Sequence, residues 1–179
     1  MNDIANMQIN AFDKFNTEWA LVTAGSPIDF NSCTIGWGSF GNIWSQNGKP
    51  CQTITIYVHP ARYTSSFLLK NDTFTVSFYS EKYKKALAYM GSHSGRNEDK
   101  AINAKLTPIA INNTMTYKEA ETTFVCKKLY QHQFTKEDLA PEIQQYYASI
   151  PKVYPDFHGG WQPHYLFIGQ VIETKSQDK

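Results

Sequence analysis

The chain has 179 residues, 17 of them Lys or Arg and 16 Asp or Glu, which leaves a net charge of +1. Without a basic excess or stripe it lacks the long-range attraction of a nucleic-acid binder or a membrane-surface protein, and neither partner is expected. Aromatic residues reach 15% while charged ones stop at 18%, so large flat side chains are set to fill a core, a subunit interface or the surroundings of a flat ligand.

In chain order, "EWALVTAG" reads as a short strand ending at Gly25. "CTIGWGSF" reads as a strand whose glycines let something approach the backbone, and "QTITIYVH" alternates with the period of a half-buried strand. "RYTSSFLLKN" suits one short helix entered after Pro60 and closed by Asn71, and "DTFTVSFY" is another alternating strand. "SEKYKKALAYMG" predicts a helix with Ser80 as N-cap, Gly91 as C-cap and Tyr83, Leu87 and Met90 on one face. "EDKAINAKLTP" predicts a short helix and turn, "TTFVCKKLYQHQF" a long strand, "PEIQQYYASI" a brief helix and "HYLFIGQVIETK" the closing strand. No repeat or linker interrupts this order, so one domain over 1–179 is expected. Its class is α+β, a mainly antiparallel sheet or barrel with short helices.

Cys33, Cys51 and Cys126 are odd in number and far apart, which argues against a disulfide framework, and no Cys-x-x-Cys pair suggests zinc. The five histidines, His59, His93, His132, His158 and His164, share no ligand spacing, so no metal site is expected. "MNDIANMQIN" lacks the basic start and apolar run of a secretory signal, and no apolar stretch approaches membrane-spanning length. Together with reduced thiols this places the expected location in the cytoplasm.

Three short motifs bear on chemistry. "GWGSFG" matches the dinucleotide pattern at Gly36, Gly38 and Gly41, but the turn-rich "NIWSQNGKP" follows where a helix is required, and no carboxylate lies about 20 residues on. "SHSGRNEDK" combines the hydroxyls of Ser92 and Ser94, the freedom of Gly95 and the charges of Arg96 and Lys100. It is either a solvated loop or a seat for a terminal phosphate. "HPARYTSS" offers Arg62 with Thr64, Ser65 and Ser66 at a helix start, where those side chains either cap the helix or help hold an anion.

"NSCTIGWGSFGNIW", the segment from "TIYVHPARYT" through "SGRNEDKAINAKLTP", and "HYLFIGQVIE" resemble the flavin reductase-like family, the FMN-binding split barrels that include flavoredoxin. The resemblance runs from about Asn31 to Glu173 and is weakest between Leu129 and Pro163. It implies a small split β-barrel that forms a homodimer and binds FMN without a covalent bond near the subunit interface. Carried over by position, Asn31, Cys33, Thr34 and Ser39 line the ring, Arg62 and Thr64 reach the phosphate and ribityl chain, and Ser94, Gly95, Arg96 and Lys100 complete the phosphate seat. Asp99 is expected to orient Arg96 or Lys100. Where some flavin reductases carry Gly-Asp-His, tied to nicotinamide nucleotide use, this chain reads Gln162-Pro163-His164. His164 is therefore the candidate catalytic residue, with an ordinary buried histidine as its alternative. The implied activity is hydride transfer from NADH or NADPH to FMN, with electrons passed to free flavin, iron or a redox protein. A flavoredoxin-like carrier that leaves nicotinamide untouched is the second reading, and a barrel that has lost its flavin the third.

Overall fold

The computed structural model describes residues 7–177. A π-helical turn at Lys14–Glu18 precedes β1 (Ala20–Ser26), β2 (Asp29–Ile35), β3 (Gly38–Gln46) and β4 (Lys49–Val58). Then follow α1 (Tyr63–Lys70), β5 (Thr73–Phe78), α2 (Lys84–Ser92), α3 (Lys100–Asn103), β6 (Pro108–Ile111) and β7 (Thr114–Tyr117). The chain finishes with β8 (Thr122–Gln133), α4 (Pro141–Ser149) and β9 (Tyr165–Ser176). Seven strands form one sheet in the order β2-β1-β5-β8-β9-β4-β3, every pair antiparallel, while β6 and β7 make a separate hairpin.

This order dictates the shape. β2 and β3 occupy opposite edges of the sheet, yet only Gly36 and Trp37 join them. Laid flat, the sheet would be about 29 Å wide at the usual strand spacing, whereas so short a link reaches about 11 Å. The sheet therefore rolls until its edges come together. Two register shifts in the long β8–β9 ladder, at Val125/Cys126 and Lys128/Tyr130, add the local bending this needs. The Trp37 carbonyl accepts a bond from the Tyr57 N–H (3.4 Å), but among the described residues no ladder closes the roll. The result is the expected α+β split barrel, antiparallel and open along one seam.

Period-2 patterning fills both faces. Ala20, Val22 and Ala24 point inward with Ile54, Ile56, Val58, Phe74, Val76, Phe78, Phe124 and Phe167. Leu21 points outward and is covered by Tyr79, Leu87, Met90, Leu106 and Tyr117, so α2, α3 and the β6–β7 hairpin bury the outer side of β1. Hydroxyls on that outer side find partners: Ser32 bonds both Thr23 and Tyr117 (2.8 Å each), and Ser77, Thr116 and Thr123 form a closed triangle (2.9–3.0 Å). The three cysteines are free and buried, and no helix among the described residues is long and apolar enough to cross a membrane.

Several local expectations need correction. "CTIGWGSF" is not one strand: β2 ends at Ile35, and Gly36-Trp37 form the crossing to β3. The turn-rich "NIWSQNGKP" does turn at Asn47 (φ 52°) and Gly48 (φ 73°), and what the sequence did not show is that β3 and β4 run into that turn as a hairpin. Likewise Asn112 and Asn113, at φ 42° and 61°, turn the unpredicted β6–β7 hairpin. Ser80 caps nothing with its side chain; a 3-10 turn at Glu81–Tyr83 leads into α2, which continues through Gly91 and is capped at His93.

Candidate functional site

α1 starts directly after Arg62, and no side chain caps its first turn; the Ser65 N–H bonds the Arg62 carbonyl (3.0 Å), which leaves the first N–H groups of α1 uncapped. Thr64 is wholly buried and donates from its hydroxyl to Asn31 Oδ1 (2.7 Å), tying α1 to β2. Against the same edge packs the loop after α2. A Cβ at Gly95 would overlap the Asn31 side-chain amide, so only glycine lets that loop come in so closely. Gly91 acts similarly inside α2: a Cβ there would stand 3.2 Å from Thr34 Cβ, and the Thr34 hydroxyl already donates to the Leu87 carbonyl (2.6 Å). Its place in the sequence reflects a close helix–strand approach, not a helix end.

These approaches enclose a cavity of about 80 Å³ bordered by Cys33, Arg62, Thr64, Gly91, Ser94 and Lys100. Its electrostatics are one-sided. Lys100 is 6% exposed, and its ammonium donates to two carbonyls, Ser32 O at 2.5 Å and Met90 O at 3.1 Å. Arg62 donates from Nη1 to the Gly91 carbonyl (2.7 Å). Lys14–Glu18 is the one salt bridge among the described residues, so neither cation has a carboxylate partner. Burial lowers the Lys100 pKa from the usual lysine range, with Arg62 pushing the same way and Cys33 and Glu98 opposing it. Burial also raises the Cys33 thiol, although the Thr64 hydroxyl, Lys100 and Arg62 pull against it, so Cys33 stands here as a thiol. Two cations held by carbonyl dipoles near the start of α1, with no carboxylate beside them, are an arrangement that favours an anion. The cleft of about 400 Å³ on the other flank of Lys100 carries Asp29, Glu98 and Asp99, which disfavour one.

A second cavity, of about 150 Å³, adjoins the first and shares Arg62 with it. Thr34, Trp37, His59, Tyr154 and His164 border it. The His164 ring lies 4.6 Å from Trp37 and 5.3 Å from His59, centroid to centroid, and Tyr154 sits 5.3 Å from His59 and 5.4 Å from His164. Tyr147, buried on α4, approaches His164 Nδ1 with its hydroxyl (2.6 Å), and Trp161 stacks on Tyr147 (5.1 Å, 9°). Burial moves the His59 pKa down to about 4, helped by Arg62 and opposed by the nearby Gln162 backbone. Burial, His59 and Arg62 bring His164 down to about 3. Both imidazoles are therefore neutral at neutral pH.

Of the residues singled out from sequence, Cys33, Arg62, Thr64, Ser94 and Lys100 border the smaller cavity, Thr34, Arg62 and His164 border the second, and Asn31 and Gly95 line the acidic cleft on the other flank of Lys100. Ser39 does not join them; it is exposed on the edge strand β3 opposite Thr55. Arg96 is exposed too, its guanidinium resting over the Tyr63 ring (4.5 Å) and bracing the loop from outside. Asp99 orients neither cation: its carboxylate accepts from the Ala101 and Ile102 N–H groups (3.0 and 3.2 Å), capping α3. Ser92 turns its hydroxyl back onto the Ala88 carbonyl (2.8 Å). The sequence reading missed His59, Tyr147 and Tyr154. The signal available for the tyrosines was the density of rings in "QQYYASIPKVYPDFHGGW", a segment with weak family resemblance.

No curated protein matches the sequence. Among solved structures the fold resembles a flavoredoxin from Methanosarcina acetivorans (19% identity, 99% of this chain and 77% of that chain, TM-score 0.65). It also resembles the flavoredoxin of Desulfovibrio vulgaris (Miyazaki F) (21%, 99% and 78%, 0.63) and an FMN-binding protein from Thermus thermophilus (19%, 98% and 80%, 0.64). At such identities the likeness is one of fold. The family comes from a separate comparison, in which the model of the flavin reductase like domain matches residues 12–179. The chain, a rolled antiparallel sheet with two buried basic side chains beside its β2 edge, belongs to the flavin reductase-like family.

Proposed function

We propose that this chain is an FMN-binding oxidoreductase of the flavin reductase type. One observation carries the reading: Lys100 is buried with only carbonyl partners, next to an Arg62 that has no carboxylate, in a cavity of about 80 Å³. A phosphate dianion supplies the charge that such a pair lacks. In this reading Arg62, Lys100, Ser94 and the first turn of α1 hold the phosphate, while Asn31 and Thr64 keep those elements in register. The neighbouring cavity, with Thr34, Trp37 and His164 on its walls, takes part of the flat ring system.

Flavin, when bound, supplies the hydride and electron chemistry, taken from NADH or NADPH and given to free flavin, iron or a redox protein. The chain's own residues bind, orient and exclude water. The lid formed by Tyr147, Tyr154 and Trp161 keeps His59 and His164 buried, and no side chain has to ionise at neutral pH. His164, held by Tyr147, orients whatever occupies the second cavity. We further take the working unit to be a cytoplasmic homodimer; the 51% exposed Trp44 on the edge strand β3 supports a subunit contact there.

The second reading, an electron carrier that does not oxidise nicotinamide, is favoured by Gln162-Pro163-His164 in place of Gly-Asp-His and by the lid over that histidine. Anaerobic mixing with NADH and NADPH separates the two. Bleaching of the flavin absorbance supports the reductase. No bleaching, with prompt reduction by a protein donor, supports the carrier. A protein that stays colourless when FMN is added overturns both.

A further inference from the structure

The second cavity is bordered by two histidines whose Nε2 atoms have no hydrogen-bond partner among the described residues. His59 is 3% exposed, and its Nδ1 accepts a bond from the Ala61 N–H (3.2 Å). A backbone N–H can only donate, so Nδ1 is unprotonated and a neutral His59 carries its proton on Nε2. That Nε2 is buried with no hydrogen-bond partner; the Gln162 backbone approaches the ring without reaching hydrogen-bond geometry at this atom. A buried orphan N–H costs about 1–3 kcal/mol, which is reason to look for a ligand atom.

The same accounting applies to His164. The Tyr147 oxygen accepts the His164 backbone N–H (3.4 Å) and lies 2.6 Å from Nδ1. The single phenol proton has no other acceptor among the described residues; we assign it to Nδ1, an arrangement in which the imidazole proton is on Nε2. His164 borders the cavity, and no protein acceptor takes that proton. Two neutral N–H donors on rings 5.3 Å apart thus serve one space.

We propose that His59 and His164 form a two-donor seat for a carbonyl oxygen carried on a planar six-membered ring, with His59 a binding residue in its own right. A carbonyl oxygen has two lone pairs and accepts both donors at once. Arg62 on the wall disfavours a cation. The aromatic walls, Trp37 and Tyr154, suit a flat partner. About 150 Å³ is the size of a cavity that holds one benzene ring. Fixed neutral dipoles polarise a carbonyl without bringing a full charge into a dry site. Two carriers have this chemistry, the dioxopyrimidine ring of the flavin and a separate monocyclic ketone. Only the first rests on the flavin reading above.

The test is proton–nitrogen NMR of the histidine side chains at pH 7, with FMN and cyclohexanone as probes. The free protein is expected to show His59 and His164 protonated on Nε2, and a ligand to move both Nε2–H signals. If saturation with FMN moves them and abolishes the cyclohexanone response, the seat holds the flavin's own oxygen. If the cyclohexanone response persists with FMN bound, it holds a separate ketone. His59→Leu is expected to weaken the responsible ligand about tenfold and His59→Gln, which keeps an N–H at that reach, to restore it within about threefold. Protonation of His59 on Nδ1, signals that neither probe moves, or full affinity in His59→Leu overturns the proposal. Should His59→Leu fail to fold, the wild-type spectra decide alone. Failure of FMN to bind sinks the flavin reading and leaves the cyclohexanone result to judge the seat.

Discussion

The two adjoining cavities are built on opposite electrostatic terms although they share Arg62. The smaller one concentrates positive charge and lacks a counter-ion, so its affinity comes from completing charge-assisted bonds. The larger one keeps its ionisable groups neutral through burial, so its contribution is direction and shape. One long ligand with an anionic tail and a flat, neutral head matches the pair better than two separate ligands. The difference also teaches why mutations in the two places ought to differ in size and in kind.

The sharpest contrast is expected from the double change Lys100→Ala with Arg62→Ala. Each lost charge-assisted contact is worth about 1.5–3 kcal/mol, so FMN affinity should fall by roughly 10² to 10⁴, read by flavin fluorescence titration. Full flavin content in the purified variant breaks the assignment. Next comes pH. His59 and His164 have folded pKa values of about 4 and about 3, below the ordinary 6.5 of an unfolded histidine. The unfolded chain therefore binds protons first as pH drops. The stability these groups contribute is complete above about 6.5 and is lost as pH falls through their folded values, by a few kcal/mol in all. Urea denaturation at pH 7 and pH 4.5 measures it, and equal stabilities would show that the second cavity is not dry. Tyr57, Arg62, Tyr147 and Tyr154 are the other titratable groups about these rings among the described residues.

Gly95→Ala should cost about 1–3 kcal/mol in thermal stability and loosen FMN, because the new methyl meets the Asn31 amide that positions β2 and α1. Tyr147→Phe is expected to destabilise by about 1 kcal/mol and to release the tautomer of His164, visible in the histidine NMR signals while phosphate affinity stays put. The smallest effect belongs to Ser39→Ala, since that exposed hydroxyl on β3 borders neither cavity; FMN affinity should change less than about twofold. A tenfold loss there would place the ring against β3 instead.

How much of this was legible in the sequence follows the same division. The grouping of basic and hydroxyl side chains was legible because its parts are local: Ser94 and Gly95 lie in the loop that enters α3 at Lys100, and Arg62 and Thr64 at one helix start. Sheet alternation was equally plain in "QTITIYVH", where Ile54, Ile56 and Val58 are buried while Thr55 and Tyr57 are half exposed. Ser39 and Arg96 could not be placed from sequence, because a side chain close to a cavity-lining segment along the chain can still be exposed outside the cavity. His59 escaped notice because its role arises from absence: an N–H without a partner becomes visible only when the Ala61 amide and the lid are in place. Gly91 looked like a helix terminus, as glycine often does, whereas what selects it is the Thr34 side chain from a strand more than fifty residues earlier.

The Gly36-Trp37 crossing also governs how the molecule reaches its native state. On either side of it stand hairpins, β1–β2 and β3–β4, whose partners are neighbours in sequence and whose registers can be set early. Yet β4 must await β9, the final strand, before its other flank is paired. The barrel wall is thus completed only when the C-terminal end arrives, so folding is governed by distant pairing and should be slow for a domain of this length. A truncation that removes β9 would strip that flank from both β4 and β8 and leave two unjoined half-sheets tethered by the crossing.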